Sequence, residues 1–209
     1  MKDNIVTKTK ERYMEYEKRH QDILDAAITL FNKRGYTATT TARIAKDAGV
    51  TEKTMYRHFS NKKDLFNECI NSVVTLLSAT WQEEMDKDSN DPVIYLKALI
   101  YSYVRFVIDH PDKSMFLVHL YSARDTEELD GRFSKILNMM IDEMEKAIAE
   151  MRKKGTLRKG IFPDIHPRML AGLLISQYFS MIFLNEFMSP DLFNAETAIH
   201  LVKEMMGID

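Results

Sequence analysis

Apolar residues recur along this chain at the three- and four-residue spacing of amphipathic helices, and no segment alternates like a half-buried strand. The clearest early stripe comprises Ile23, Ala26, Ala27, Leu30 and Phe31, which share one helical face. Caps and helix-breaking pairs divide most of the remainder into predicted helices over about 61–87, 92–110, 112–122, 127–154, 166–188 and 192–206. Seven Gly and five Pro are too few for the many turns of a β-sandwich. The pattern therefore predicts an all-α fold.

The segment 35–65 contains two short predicted helices joined by a tight turn. Gly35 predicts the end of the preceding helix, because glycine adopts a left-handed C-cap without penalty. The threonines at 39–41 offer N-cap hydroxyls to the first short helix, and Thr51 offers one to the second. Gly49 separates the two. Short helices joined at a steep angle by a Gly-containing turn predict a helix-turn-helix, whose second helix is the one that enters a DNA major groove.

This segment resembles the helix-turn-helix of the TetR/AcrR family of one-component transcriptional regulators. The matching residues are Gly35-Tyr36, Thr39-Thr40, Ile44-Ala45, Ala48-Gly49-Val50-Thr51, Tyr56, His58-Phe59, Lys62 and Leu65. The match is specific and covers about residues 20–66. It implies a three-helix DNA-binding head with an N-terminal arm, residues 1–66, and a helical effector-binding and dimerisation body, residues 67–209.

Two positions depart from the family pattern. Arg43 lies three residues after the predicted N-cap Thr40, where the family often has an acid that closes a capping box. A cation in a first helical turn interacts unfavourably with the helix dipole, so we expect Arg43 to have another role, the binding of a nearby phosphate. Lys53 stands where a small residue is common, and it can reach a base edge or a phosphate from the start of the second helix.

The resemblance and the position of each side chain predict a set of DNA-binding residues. They are Thr40, Thr41, Arg43, Glu52, Lys53, Thr54, Tyr56, His58 and Lys62. Glu52, Lys53 and Thr54 are placed to read base edges, since Lys favours guanine acceptors and Glu favours the cytosine amine.

The other predicted contacts go to phosphates, and several have structural alternatives. Thr41, Tyr56 and Lys62 are expected to reach the DNA backbone, as Arg43 is. Thr40 can equally be a helix cap alone. Tyr56 and His58 can support the core of the head, since both rings are amphipathic, and Lys62 can be an ordinary surface charge.

Charge is divided unevenly along the chain. Residues 1–63 contain 14 Lys and Arg against 8 Asp and Glu, a net charge of +6, and residues 64–209 contain 15 against 23, a net charge of −8. A basic head on an acidic body is expected if only the head meets the DNA backbone.

Cysteine and hydropathy patterns bear on the compartment. Cys69 is the only cysteine, which fits a reducing cytoplasm, and its apolar neighbours predict a buried core position. The N-terminus lacks a secretory signal pattern, and the apolar run 171–184 is too short to span a bilayer. We therefore expect a cytoplasmic protein without membrane contact.

The last two predicted helices are apolar on more than one face, so they need a partner surface. Their apolar residues include Leu170, Leu173, Leu174, Tyr178, Met181, Ile182, Phe187, Phe193, Ala198, Leu201, Val202 and Met205. The resemblance implies that these helices form a four-helix bundle across a two-fold axis. Such a homodimer suits a palindromic DNA operator. A monomer with a thicker core is the alternative.

The predicted body also has an apolar interior suited to an effector. The candidate ligand-binding residues are Tyr103, Phe106, Phe116, His119, Met140, Met144, Gln177, Tyr178 and Met181. Tyr103, His119 and Gln177 would orient the ligand through polar groups. The many methionines suit an adaptable pocket, and they suit ordinary core and dimer packing equally well. We expect a small apolar or amphipathic effector, such as a lipid-like acid or a drug.

The chain contains no phosphate-binding loop, dinucleotide-binding fingerprint, HExxH or CxxC motif, and its histidines lack metal-ligand spacing. We therefore expect no enzymatic activity, no metal and no cofactor. The expected function is a ligand-responsive transcriptional regulator that the effector releases from DNA, with repression as the expectation for the family. The alternative is a helical protein-interaction adaptor whose head lacks sequence-specific DNA binding.

Overall fold

The computed structural model describes residues 2–84, 91–122, 132–157 and 165–187, and the isolated positions 200 and 204. All regular structure in these residues is α-helical, which confirms the predicted fold class. The chain divides into two compact units, Met1–Val73 and Val74–Asp209.

The first unit comprises α1 (Lys2–Ala38), α2 (Thr41–Asp47), α3 (Glu52–His58) and the start of α4 (Lys62–Glu84). The segment predicted as an N-terminal arm is part of α1. Gly35 interrupts α1 with a φ of 75°, so the predicted end of the regular helix is confirmed at that residue. Only glycine adopts this left-handed conformation without strain.

The core of the first unit lies where α1, α2, α3 and α4 meet. Its buried residues include Ile23, Leu24, Ala27, Ile28, Phe31, Ile44, Ala45, Met55, Phe59, Leu65, Phe66 and Cys69. Phe31 and Phe66 meet edge to face with ring centroids 5.1 Å apart. Cys69 is fully buried, as predicted for a core cysteine.

The second unit contains the remainder of α4, then α5 (Pro92–Asp109), α6 (Pro111–Ser122), α7 (Arg132–Lys154) and α8 (Pro167–Phe187). Asp91 caps α5, since its side chain accepts a hydrogen bond of 2.9 Å from the Val93 N–H. α7 packs on α5 and α8, and α8 also packs on α5 and α6. Of the predicted last helix, 192–206, the structure describes only positions 200 and 204, and the predicted start of α7 at Glu127 lies outside the described ranges.

A search of the described helices for a membrane span, by length and hydropathy, found none that qualifies.

Candidate functional site

Two threonine caps and one glycine turn set the geometry of the helix-turn-helix. Thr40 Oγ1 accepts a hydrogen bond of 3.3 Å from the Arg43 N–H, and Thr51 Oγ1 accepts one of 3.1 Å from the Thr54 N–H. Gly49 has a φ of 67° and closes α2. The two backbone bonds of a Schellman motif accompany it, from Val50 N–H to Ala45 O at 2.9 Å and from Gly49 N–H to Lys46 O at 3.1 Å. The predicted caps and turn are therefore present.

The first turn of α3 presents the three residues predicted to read bases. Glu52 and Lys53 are exposed, and Thr54 is half-buried. The Thr54 hydroxyl lies 3.0 Å from that of Thr51, so it takes part in the cap. Lys53 therefore offers a long exposed cation at the N-terminal end of α3, the end from which a recognition helix contacts base edges.

A polar network joins the exposed faces of α2 and α3. Tyr56 is 47% exposed, and its hydroxyl donates a hydrogen bond of 3.1 Å to Thr41 Oγ1. Thr41 in turn donates one of 3.4 Å to a Glu52 carboxylate oxygen. The exposed ring of Tyr56 and its surface hydrogen bond place it on the outside of the head rather than in the core.

The two cations predicted at phosphates already have protein partners. Arg43 Nε lies 3.0 Å from an Asp47 carboxylate oxygen, and both side chains are substantially exposed. Lys62 Nζ lies 4.3 Å from the ring centroid of Tyr36 and donates a hydrogen bond of 3.4 Å to Thr37 O. Lys62 is thus held against the turn after Gly35 and is not an unattached surface charge.

His58 belongs to an aromatic cluster that the sequence did not indicate. Its ring stacks on Tyr16 of α1, with centroids 4.1 Å apart and planes 24° apart, and lies 5.5 Å from His20. Phe59 stacks on His20 at 4.6 Å. Tyr16 and His20 share a face of α1 at i and i+4, a local signal that would have identified the pair but not its partner on α3.

This environment lowers the pKa of His58 below its ordinary value. Burial is the largest cause, followed by the charges of His20, Arg57 and Arg19, whereas Glu17 acts in the opposite direction. The Nδ1 atoms of His20 and His58 are buried and have no hydrogen-bond partner among the described residues. His58 therefore supports the junction of α1 and α3 as a neutral ring.

The predicted ligand-binding residues divide into three groups. Tyr103, Phe106, Phe116, Met140 and Met144 are buried in the second unit. The other polar candidates, His119 and Gln177, are exposed, so neither points into the interior of the described unit. Tyr178 and Met181 are positions of α8 whose side chains lie outside the described part of the chain.

A cavity of about 70 Å³ lies between α4, α5 and α7. Its lining includes Tyr103 and Met140, as predicted, and adds Val74, Leu77, Ser78, Trp81, Leu99, Met139 and Glu143. Phe106, Phe116 and Met144 are core residues that do not line it. Sequence reasoning missed Trp81 and Glu143; the latter is three residues after Met140 and shares its helical face.

Glu143 anchors a polar cluster beside this cavity. Its Oε2 accepts a hydrogen bond from the Tyr95 hydroxyl, and its Oε1 accepts one of 2.6 Å from Lys146 Nζ. Burial acts to raise the pKa of the Glu143 carboxyl, but the bonds from Lys146 and Tyr95 outweigh it, so the pKa lies below its ordinary value. Burial and Glu143 raise the pKa of the Tyr103 phenol. Glu143 is therefore an anion at neutral pH.

The described residues contain no cluster of three or more His, Cys, Asp or Glu side chains suited to a metal ion. The exposed face of α2 and α3 and the cavity beside Glu143 contain the predicted DNA-binding and ligand-binding residues and are two features that could bind a partner.

Comparisons with known proteins agree on the head and extend to most of the chain. The family model described as bacterial regulatory proteins, tetR family, matches residues 23–69. The nucleoid occlusion factor SlmA of Haemophilus ducreyi is 28% identical over 162 residues, which cover 77% of each chain. The HTH-type transcriptional regulator AcrR of Shigella flexneri is 23% identical over 191 residues, covering 91% of this chain and 86% of its own.

Solved structures include one relative of higher identity. NalD, the secondary repressor of the MexAB-OprM multidrug efflux pump in Pseudomonas aeruginosa, is 30% identical with a TM-score of 0.64. The match covers 90% of this chain and 95% of NalD.

Proposed function

The chain belongs to the TetR/AcrR family of transcriptional regulators, and we propose that it is a repressor that binds a palindromic operator as a homodimer and leaves it when a small molecule binds. The observation that carries the proposal is the doubly capped helix-turn-helix, with Lys53 exposed at the start of α3. NalD, a relative by sequence and fold, is itself a repressor, which supports this direction of control.

Specific recognition would start from the first turn of α3. Lys53 would donate to guanine N7 or O6 in the major groove, and Glu52 would accept from a cytosine amine. Glu52 also accepts from Thr41, so its carboxylate has a fixed direction before DNA arrives. Fixing a side chain in advance reduces the entropy lost on binding.

Phosphate contacts would come from the residues around this turn. The Tyr56 hydroxyl and Thr41 lie together on the exposed face and can exchange their mutual bond for a phosphate oxygen. Arg43 would have to leave Asp47, which costs little because exposed ion pairs are worth only about 0–1 kcal/mol. Lys62, held over Tyr36, would add charge at a fixed position.

Effector control would follow from linkage. A ligand that prefers the body conformation with low operator affinity weakens DNA binding by the ratio of its affinities for the two conformations. Operator binding must then weaken ligand binding by the same factor. The cavity beside Tyr103 and Met140 is the proposed site for a small apolar or amphipathic effector.

Selection of genomic fragments by the purified protein, followed by footprinting, tests the proposal. Enrichment of one palindromic site is expected. Lys53→Ala should weaken binding to that site by about 1–3 kcal/mol and relax the base preference at one base pair in each half-site. Lys33→Ala removes the same charge from an exposed position on α1 outside the predicted contacts, so it should leave base preference unchanged. A folded dimer that enriches no sequence would contradict the proposal and favour the adaptor alternative.

The similarity to nucleoid occlusion factors suggests a second candidate, a DNA-binding protein that acts in nucleoid occlusion. The two functions differ in the distribution of sites. A regulator should occupy promoters, whereas a protein that acts on the nucleoid as a whole should occupy sites without regard to promoters. Mapping of occupied sites in cells distinguishes them.

A further inference from the structure

We propose that the cavity between α4, α5 and α7 binds the ammonium group of an organic cation, with Glu143 as its counter-ion and Trp81 and Tyr103 as its aromatic walls. This inference rests on the proposed function in one respect, that an occupant of this cavity acts as the effector. It narrows the effector from an apolar or amphipathic molecule to a cationic one.

The chemistry of the lining selects a cation. The cavity is mainly apolar, and Glu143 is the only carboxylate among the described residues that line it. Carboxylate and aromatic faces are the two protein groups that attract an organic ammonium ion, the first by its charge and the second by the negative face of the ring. An anionic effector placed in the same cavity would face the Glu143 carboxylate and be repelled.

One aromatic wall, Trp81, is held in position by a neighbouring ring. Trp81 of α4 meets Tyr95 of α5 edge to face, with ring centroids 6.0 Å apart. The Tyr95 hydroxyl donates a hydrogen bond to Glu143, so the carboxylate and the rings of Trp81 and Tyr95 form one connected unit. The Trp81 indole N–H is buried and has no hydrogen-bond partner among the described residues.

A ligand cation in the cavity would compete with Lys146 for the Glu143 carboxylate. Its ammonium pairs with Glu143 at 2.6 Å, but its side chain is 70% exposed and can turn outward into water. The Lys146 ammonium stays in water when it leaves Glu143, and a ligand cation takes its place, so the exchange leaves the carboxylate paired. A cation inside the cavity would interact with Glu143 in a less polar environment than Lys146 does, which strengthens the attraction.

The size of the cavity fits a head group rather than a whole drug. Its volume of about 70 Å³ is roughly half that of the ~150 Å³ engineered cavity that holds benzene. Met139, which lines it, is 49% exposed and marks an opening to the surface. The ammonium would lie inside, and an apolar substituent would extend past the flexible Met139 side chain.

Trp81 is the only tryptophan of the chain, so its fluorescence reports on this cavity alone. We would titrate the full-length protein with benzyltrimethylammonium, with its uncharged isostere neopentylbenzene and with phenylacetate. The cation is expected to change the fluorescence saturably and to bind at least about tenfold more tightly than either of the others, a difference of about 1.4 kcal/mol. Equal binding of the cation and its isostere would overturn the proposal.

Two substitutions on α7 form a matched test. Glu143→Gln keeps the shape of the side chain and removes its charge. It should weaken binding of the cation at least about tenfold and leave binding of the isostere unchanged. Glu145→Gln is the control: Glu145 is exposed to 26% against 27% for Glu143, and it also pairs with a cation, Arg168, but does not line the cavity. Equal loss of cation binding in both variants would overturn the proposal.

Lys146→Met removes the competing ammonium and should therefore strengthen cation binding, which a misfolded variant would not do. Weaker cation binding would overturn the proposal.

Operator binding, measured on the same samples, separates this inference from the proposed function. A protein that binds its operator but ignores the cation would refute this inference alone, and one that binds the cation but no operator would refute the proposed function alone.

Discussion

Side chains on the exposed face of the head hold one another in place before any DNA is bound. Thr41 accepts a hydrogen bond from the Tyr56 hydroxyl and donates one to the Glu52 carboxylate. This one threonine therefore connects a predicted phosphate contact to a predicted base contact. Lys62 has a comparable arrangement over Tyr36. Residues that are predicted to contact DNA therefore also stabilise the orientation of α2 against α3. The effect of a substitution at Thr41 should therefore be measured on both folding stability and DNA affinity.

His58 gives a prediction about pH. Its pKa is lowered in the folded protein from the ordinary value of 6.5, by burial first and then by His20, Arg57 and Arg19, against the opposing effect of Glu17. Below pH 6.5 the unfolded chain therefore binds the proton at this ring more readily than the folded chain does. Its contribution to the free energy of unfolding is fully present above that pH and is lost as the pH falls toward the folded pKa.

Urea unfolding between pH 5 and 8 measures this effect. His58→Phe keeps a ring for the stack on Tyr16 and cannot be protonated, so its stability should fall less than that of the unsubstituted protein on acidification. Parallel pH profiles for the two proteins would show that His58 does not contribute to the acid sensitivity.

At the scale of elements, the turn between α2 and α3 depends on the backbone conformation of Gly49. A Cβ at this position would meet no atom within 4 Å, so the cost of a substitution is the strain of a φ of 67° and not a clash. Gly49→Ala should lower the free energy of unfolding by about 1–2 kcal/mol. Gly49→Asn is the matched control, since asparagine tolerates the left-handed region, and it should cost clearly less than alanine.

Denaturant titration of the three proteins tests this order. If alanine and asparagine were equally destabilising, backbone strain would not be the cause. A loss of operator affinity that exceeds the loss of stability would indicate in addition that the angle between α2 and α3 matters for recognition.

Elements were predictable from the sequence wherever their determinants are local. The caps at Thr40 and Thr51 and the turn at Gly49 depend on neighbours within a few residues, and the structure has them as predicted. Contacts between distant elements were not predictable. Tyr16 meets His58 across 42 positions and Tyr95 meets Glu143 across 48, and a single sequence carries no signal of which helix faces which.

The ligand candidates illustrate the same limit within one helix. Buried aromatic and methionine positions were identified by periodicity, but periodicity does not distinguish a residue that lines a cavity from one that fills the core. Tyr103 and Met140 line the cavity, whereas Phe106 is packed in the core at 0% exposure. Glu143 was overlooked because an acid on an amphipathic helix is normally assigned to its solvent face.

At the scale of the whole molecule, the proposed dimer can be tested on α8. Met169 and Leu173 are 59% and 42% exposed, one turn apart, on a helix through which the proposed dimer would form. Leu173→Lys would place an uncompensated charge in the proposed interface twice, because a two-fold axis repeats every substitution. We expect it to shift the protein to monomers in light scattering, and to weaken binding to a full palindrome while leaving half-site binding unchanged.

Ile94→Lys supplies the control for this experiment. Ile94 is 43% exposed on α5, so the substitution introduces the same charge at an apolar position of nearly the same exposure outside α8. It should remain dimeric and bind the full palindrome normally. Dimers of Leu173→Lys with full operator affinity would exclude this face of α8 from the interface. Cooperative binding to two half-sites would then have to come from another surface, because α3 of a monomer can contact only one half of a palindrome.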